Sequence, residues 1–316
     1  MLSRTAQNLF WLSRYIERAE NTARLLDVTY RMSLLPSAAN QQDQQWSPLL
    51  VIGAGGAEFA ARYGEAGGAS VIEYMGFDSA NPSSILSCVA AARENARAER
   101  SAISTEMWES LNATHLELQS KKYRDFAKDG VRGFFDWVKE RSHLFRGVTF
   151  GTMYRDDAFH FIRLGTFLER ADNTARILDI KYHQLLPEGR VNGEAVDYFQ
   201  WGALLRSVSA FRAYRQAYRD TVDPQKIAEL LILDSDMPRS LLYCFEEVLN
   251  VLGTLCGAKP RECLRLAGET HASLKFGRID RIVSDGLHDF LNGFLIRSNG
   301  LAVQIQQDFM MSLQFE

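Results

Sequence analysis

Residues 17–27 read ERAENTARLLD, and residues 169–179 read ERADNTARILD. Nine of these eleven positions are identical, and the other two exchange Glu for Asp and Leu for Ile. Further matches follow in the same order, with an offset that drifts only from 152 to 156: Trp46 with Trp201, Asp78 with Asp234, Pro82 with Pro238 and Cys88 with Cys244. Such an ordered series indicates a tandem duplication. We predict two repeats, residues 1–152 and 153–316, packed as one unit with pseudo-twofold symmetry.

The repeated segment has the spacing of an amphipathic helix. Leu12, Ile16, Ala19, Ala23 and Leu26 fall on one face at a period of 3.6 residues. No segment alternates over the length of a strand with β-branched residues. The sequence therefore predicts an all-α helical bundle of about ten to twelve helices.

Two further features concern where helices run. The dipeptides Asn81-Pro82 and Met237-Pro238 suggest helix starts, with Asn81 as an N-cap. Residues 93–108 are rich in Ala, Glu and Arg, so we expect them to be helical.

The composition excludes several classes of protein. The chain has 316 residues, of which 46% are hydrophobic and 24% charged, with a net charge of −3, so it is neither disordered nor strongly basic. No apolar run reaches the ~18 residues of a membrane span, and charged residues interrupt the N-terminal segment. The cysteines and histidines lack metal or disulfide spacing. We predict a cytoplasmic protein with no metal or cofactor and with neither nucleic acid nor membrane as partner.

A second row on the repeated helix carries polar residues between apolar ends. Its residues, spaced by three and four, are Phe10, Arg14, Glu17, Asn21, Arg24 and Val28 in the first half and Ile162, Thr166, Glu169, Asn173, Arg176 and Ile180 in the second. This spacing is typical of a packing surface. The helix is therefore expected to be buried on two sides, where its polar groups need partners.

A row of arginines occurs in the first half only. Arg93, Arg97 and Arg100 lie at helical spacing, whereas the matching positions of the second half are Leu249, Gly253 and Cys256. We expect this row to converge with Arg24 and Arg176.

These residues leave two interpretations open. In the first, Glu17 and Glu169 pair with arginines across the pseudo-twofold axis in a purely structural network. In the second, the surplus of arginines forms a site completed by a phosphate or carboxylate ligand, or by Asp78 and Asp234. Those two aspartates are either paired carboxylates for acid–base chemistry or charges at helix starts.

The repeated ERAENTARLLD motif, Asp78-x-x-x-Pro82-x-Ser84, residues 93–112 and Gly286-Leu287-His288 together resemble the bacterial alpha-E family of all-helical proteins over essentially the whole chain. The resemblance implies a gene neighbourhood of circularly permuted ATP-grasp ligases and transglutaminase-like proteins, sometimes with a proteasome-like peptidase. It implies a role in forming or modifying peptide or amide bonds, and it supplies no catalytic residue. The positions that match the family motif are Glu17, Arg18, Asn21 and Arg24, with Glu169, Arg170, Asn173 and Arg176.

Three functions follow as hypotheses. The chain is a non-catalytic partner that recognises an ATP-grasp ligase or its peptide substrate, an enzyme acting on a carboxylate or acyl phosphate at the Glu/Asn/Arg centre, or a structural scaffold. The sequence shows no evident nucleophile, Mg²⁺-binding carboxylate cluster or water-activating metal site. That favours the accessory partner, with a circularly permuted ATP-grasp protein as first partner and a transglutaminase-like protein as second.

Overall fold

The computed structural model describes residues 2–34, 46–52, 56–185, 195–219 and 221–310, which contain sixteen helices and no strand. The helices of the first half are α1 (Ser3–Ser33), α2 (Ser47–Ile52), α3 (Gly56–Tyr63), α4 (Gly68–Gly76), α5 (Ile85–Ala98), α6 (Thr105–Ser120), α7 (Tyr123–Asp129) and α8 (Arg132–Thr152). Those of the second half are α9 (Asp157–Leu185), α10 (Ala195–Ser207), α11 (Phe211–Tyr218), α12 (Pro224–Ile232), α13 (Leu241–Cys256), α14 (Glu262–Lys275), α15 (Ile279–Ser284) and α16 (Leu287–Phe309). The predicted all-α class is confirmed, and short helices raise the number above the expected range.

The two repeated helices, α1 and α9, lie against each other at the centre and run in the same direction. Contacts advance together along both, from Ser13 beside Gly165 to Arg18 beside Glu169. A Cβ atom on Gly165 would lie 2.2 Å from Ser13 Oγ and 2.3 Å from the carbonyl oxygen of Phe10. Only glycine permits this approach of the two backbones.

Three long helices accompany each central helix. Helix α1 packs against α5 and α8, and α6 packs against both of these. Helix α9 packs in the same order against α13 and α16, with α14 against both. Buried aromatic side chains fill the two groups, including Phe134 and Phe135 in the first and Phe245 and Phe294 in the second. The tandem duplication and the boundary after residue 152 stay predictions.

Serines, and not the residues before the prolines, begin two of these helices. Ser84 accepts a hydrogen bond from the backbone N–H of Ser87 and Ser240 from that of Tyr243, so α5 and α13 start after them. The expected N-cap role of Asn81 is wrong, because its side chain accepts from Ser83 N within the preceding turn. A serine hydroxyl satisfies an N–H group that the first helical turn leaves unpaired.

No helix among the described residues is both long and apolar enough to span a membrane.

Gly165→Ala tests the contact between α1 and α9. The added methyl group meets backbone, which cannot rotate away, so we expect the free energy of unfolding to fall by about 1–3 kcal/mol. Gly147→Ala is the matched control, because that glycine lies within α8 with nothing within 4 Å of its would-be Cβ. The control should gain up to ~1 kcal/mol from helix propensity. Equal effects in chemical denaturation would contradict the close approach.

Candidate functional site

The two central helices exchange ion pairs. Arg170 donates to Glu17 through Nε (2.9 Å) and Nη2 (3.1 Å), and Arg18 donates to Glu169 through Nε (2.6 Å) and Nη2 (3.1 Å). Each Glu-Arg dipeptide is thus bonded to the other, in two-pronged geometry that suits guanidinium and carboxylate. Glu17 and Glu169 do pair with arginines of the opposite helix, Glu17 with Arg170 and Glu169 with Arg18. Arg14 adds a bond of 2.8 Å to Glu169.

Around Glu17 the network extends to Glu20. Arg146 lies 2.9 Å from Glu17 and also contacts Glu20, and Arg239 lies 3.3 Å from Glu17 and bonds Glu20 through Nη2. Arg24 donates to Glu20 at 2.8 Å. Four guanidinium groups, including that of Arg170, therefore surround two buried carboxylates.

Electrostatics keep these carboxylates ionised despite their burial. Burial raises the pKa of Glu17, but Arg170 and Arg146 outweigh it and hold that pKa at about 2. The pKa of Glu20 is likewise lowered well below its ordinary value, because Arg239 and its other partners outweigh burial. Burial lowers the pKa of Arg239 to about 10, although Glu20 acts against that shift. At neutral pH the cluster is fully charged and carries two more positive than negative charges.

This cluster opens onto a surface pocket of about 460 Å³, which we call the arginine pocket. Its lining includes Arg24, Arg146, Arg170 and Arg239, together with the exposed residues His143 and Arg212. Arg24 reaches further, donating through Nη1 to the carbonyl of Ser207 at 2.7 Å, at the end of α10.

A second space, which we call the central cavity, lies along α1 and α9 and has a volume of about 230 Å³. Glu169, Asn21, Asn173 and Arg176 of the predicted site line it, together with Arg18, Asp172 and several apolar side chains. Arg176 is paired with Asp172, its Nε lying 2.7 Å from Oδ2. Of the predicted polar residues on the two repeated helices, Arg24 alone lines the arginine pocket, and Glu17 lines neither space.

The arginines of the first-half row do not join this network. Arg93 bonds Asn112 and Glu94, Arg97 pairs with Glu94 while 65% of its side chain is exposed, and the Arg100 guanidinium lies over the Trp108 ring. The expected convergence with Arg24 and Arg176 is therefore wrong.

The physical reason lies in the direction and length of α5. Glu99 bonds Asn8 near the start of α1, so the arginine row lies beside that end and away from Arg24. Small and apolar residues, namely Cys88, Val89, Ala92 and Ala96, form the buried face of α5. The predicted continuous helix also breaks, since Ser104 caps a new helix by accepting from Met107 N.

Asp78 and Asp234 serve turns and lie outside the central network. Asp78 accepts from Ala80 N at 2.9 Å and pairs with Arg62 at 2.7 Å. Asp234 accepts from the backbone N–H groups of Asp236 and Met237. Their contacts agree with the interpretation as charges ahead of helices and not with a shared acid–base pair.

Sequence reasoning missed Glu20, Arg146 and Arg239. The sequence gives a weak indication for Glu20, because this position is acidic in both repeated motifs, as Glu20 in the first and Asp172 in the second. Arg239 follows Pro238 where the first half has Ser83, and this break of the repeat marks it in retrospect. Arg146 carries no signal that we identify.

Among the described residues, no three His, Cys, Asp or Glu side chains are grouped so as to hold a metal ion. Residues 1–310 match the Alpha-E family, whose description is a predicted alpha-helical domain with a conserved ER motif. Comparisons with curated proteins and with solved structures give no match. Glu17-Arg18 and Glu169-Arg170 are Glu-Arg dipeptides of the two central helices, and their bonds join these helices.

Glu17→Ala and Glu169→Ala should each lower the free energy of unfolding by about 3–5 kcal/mol, because each strands buried guanidinium groups. The corresponding glutamine variants should cost less, since the amide retains part of the hydrogen bonding. Glu262→Ala removes an exposed partner of Arg265 and is the control, with little expected change. Denaturation curves that do not separate the central variants from the control would contradict the buried network.

Acidification should destabilise the protein through Glu17. Its pKa is about 2 in the folded protein against an ordinary 4.5, so the unfolded chain binds more protons between these values. The contribution of Glu17 to stability is present above pH 4.5 and is lost as the pH falls towards 2. Denaturation at a series of pH values should give a shallower loss for Glu17→Gln than for the wild type. Parallel curves would show that Glu17 is not the titrating group.

Proposed function

The chain belongs to the Alpha-E family, and on that premise we propose that it is a helical accessory protein that recognises an anionic group in a peptide or amide-bond forming system. The partner we propose is a circularly permuted ATP-grasp enzyme, with a transglutaminase-like protein as the second choice. The anionic group is a phosphate or carboxylate carried by that partner or its substrate.

The observation that carries this proposal is the excess of positive charge at the arginine pocket. Four arginines, at least partly buried, meet only two carboxylates there, and uncompensated charge away from water is costly. An anion would offset that cost. Arginine suits the task because its planar fork gives paired hydrogen bonds to phosphate or carboxylate. Arg146 bonds its two glutamates through Nη1, and its Nε and Nη2 have no hydrogen-bond partner within the described part of the chain.

The chemistry of the surrounding groups favours recognition over turnover. Burial raises the pKa of Cys88 and of Cys244 to about 12, which removes both thiols as nucleophiles near the central arginines. Asp78 and Asp234 are held in turns. Catalysis by the purified protein alone would favour the enzyme hypothesis instead.

Phosphate, sulfate and glutarate at constant ionic strength should raise the melting temperature of the wild type. The stabilisation is about 2.7 kcal/mol at a concentration of one hundred times Kd. Arg212→Glu should weaken the response, because it reverses an exposed charge that lines the pocket. Arg97→Glu makes the same change at an exposed position of the arginine row and should respond like the wild type.

The two variants separate the possible results. A response lost only in Arg97→Glu would place the anion at the arginine row, and a wild type that responds to none of the anions would leave the cluster structural.

Co-purification with an ATP-grasp partner, followed by measurement of ATP consumption with and without this protein, then tests the accessory role. No binding and no change in ATP consumption would contradict it.

A further inference from the structure

We propose that the central cavity binds a free amino acid with an aliphatic side chain. The inference does not depend on anion recognition at the arginine pocket, because the cavity is a separate space with its own polar groups. Its volume of about 230 Å³ lies below the usual range of pockets for drug-sized ligands, which starts near ~300 Å³. The cavity therefore suits a molecule of amino-acid size.

The cavity and the matching place in the other half of the chain, the arginine pocket, differ at one key position. Ser83 lines it, and the matching position of the second half holds Arg239, whose guanidinium bonds Glu17 and Glu20. The matching carboxylates of the cavity are Glu169 and Asp172. A small hydroxyl side chain thus stands where the second half has an arginine bonded to both carboxylates, so no guanidinium from this position covers Glu169 and Asp172.

An unpartnered amide lies in the wall of the cavity. Asn21 is 2% exposed, and its Oδ1 accepts from Arg239 Nη1 at 2.9 Å. A guanidinium only donates, so this bond fixes the orientation of the amide and leaves Nδ2 as a donor. Nδ2 is buried and bonds no described residue. Buried donors are rarely left in this state, and an acceptor atom of a ligand would satisfy it.

The remaining polar groups of the cavity supply hydrogen-bond donors for a carboxylate and acceptors for an ammonium group. Arg18 and Arg176 each bond their carboxylate through Nε and Nη2, so Nη1 of each is without a partner among the described residues. Those donors suit the carboxylate of an amino acid. Asn173 donates through Nδ2 to the Glu169 carbonyl at 2.8 Å, and its Oδ1, with the Asp172 carboxylate, suits an ammonium group.

Charge and shape narrow the ligand further. Two arginines and two carboxylates line the cavity, and Arg14, outside the lining, also bonds Glu169. A zwitterion can pair with lining groups of both signs, which an ion of one sign cannot do. Leu25, Leu49, Met75 and Ile177 form the apolar part of the lining. Apolar surface of this kind favours an aliphatic side chain over a charged one.

The test is calorimetric titration of the purified full chain with L-leucine, L-isoleucine and L-valine at millimolar concentration, beside L-lysine, L-glutamate and glycine. We expect binding of the aliphatic amino acids and at least tenfold weaker binding of the charged ones. Ser83→Arg should weaken leucine binding at least tenfold while keeping the melting temperature, because the new guanidinium faces Glu169 and Asp172. Asn173→Ala, a milder change, should weaken binding about three- to tenfold.

Arg97→Glu, remote from the cavity, is the control and should bind leucine like the wild type. Titration of phosphate into the same samples measures anion binding at the arginine pocket. Phosphate binding without leucine binding would overturn this inference and leave the proposed function standing. Leucine binding without phosphate binding would support this inference and contradict anion recognition at the arginine pocket. Equal affinity for leucine and lysine, or leucine binding unaffected by both Ser83→Arg and Asn173→Ala, would also overturn it.

Discussion

Three almost fully buried glutamates on two parallel helices are the constraint on which the rest of this molecule depends. Glu17, Glu20 and Glu169 are almost completely removed from water, and an ionised carboxylate is stable there only with positively charged partners. Arginines from the facing helix and from distant parts of the chain meet this need. The close backbone approach at Gly165 brings the first of those partners within reach.

The two halves meet the same need with different numbers of arginines. Glu169 has Arg14 and Arg18, whereas Glu17 and its neighbour Glu20 share four guanidinium groups. Differences at single matching positions account for much of this difference in the number of arginines. The second half has Thr166 where the first has Arg14, and the first half has Ser83 where the second has Arg239. One side of the central helices therefore has four arginines on two carboxylates, and the other has a cavity lined by two arginines and two carboxylates.

Much of the central architecture could be predicted from the sequence, because helical periodicity reports which faces are buried. The duplicated motif identified the central pair, and the polar centre of its second row required Glu17 and Glu169 to find partners. The sequence could not predict which arginines pair with these glutamates, because Arg146 and Arg239 lie in a helix and a turn far along the chain. The prediction for Arg93, Arg97 and Arg100 was wrong because helical spacing alone does not distinguish the buried face of a helix from the face next to it.

The exchange between the Glu-Arg dipeptides also has a consequence for how the chain folds. Its bonds join residues 151 and 153 positions apart, so neither glutamate meets its partner from the facing helix until the whole first half and the start of α9 have been synthesised. Contacts of such long range close slowly, because a large loop must lose its freedom first. On the ribosome, helix α1 would thus emerge with its carboxylates lacking those partners. Docking of α9 is then the step that brings Arg170 to Glu17 and Glu169 to Arg18.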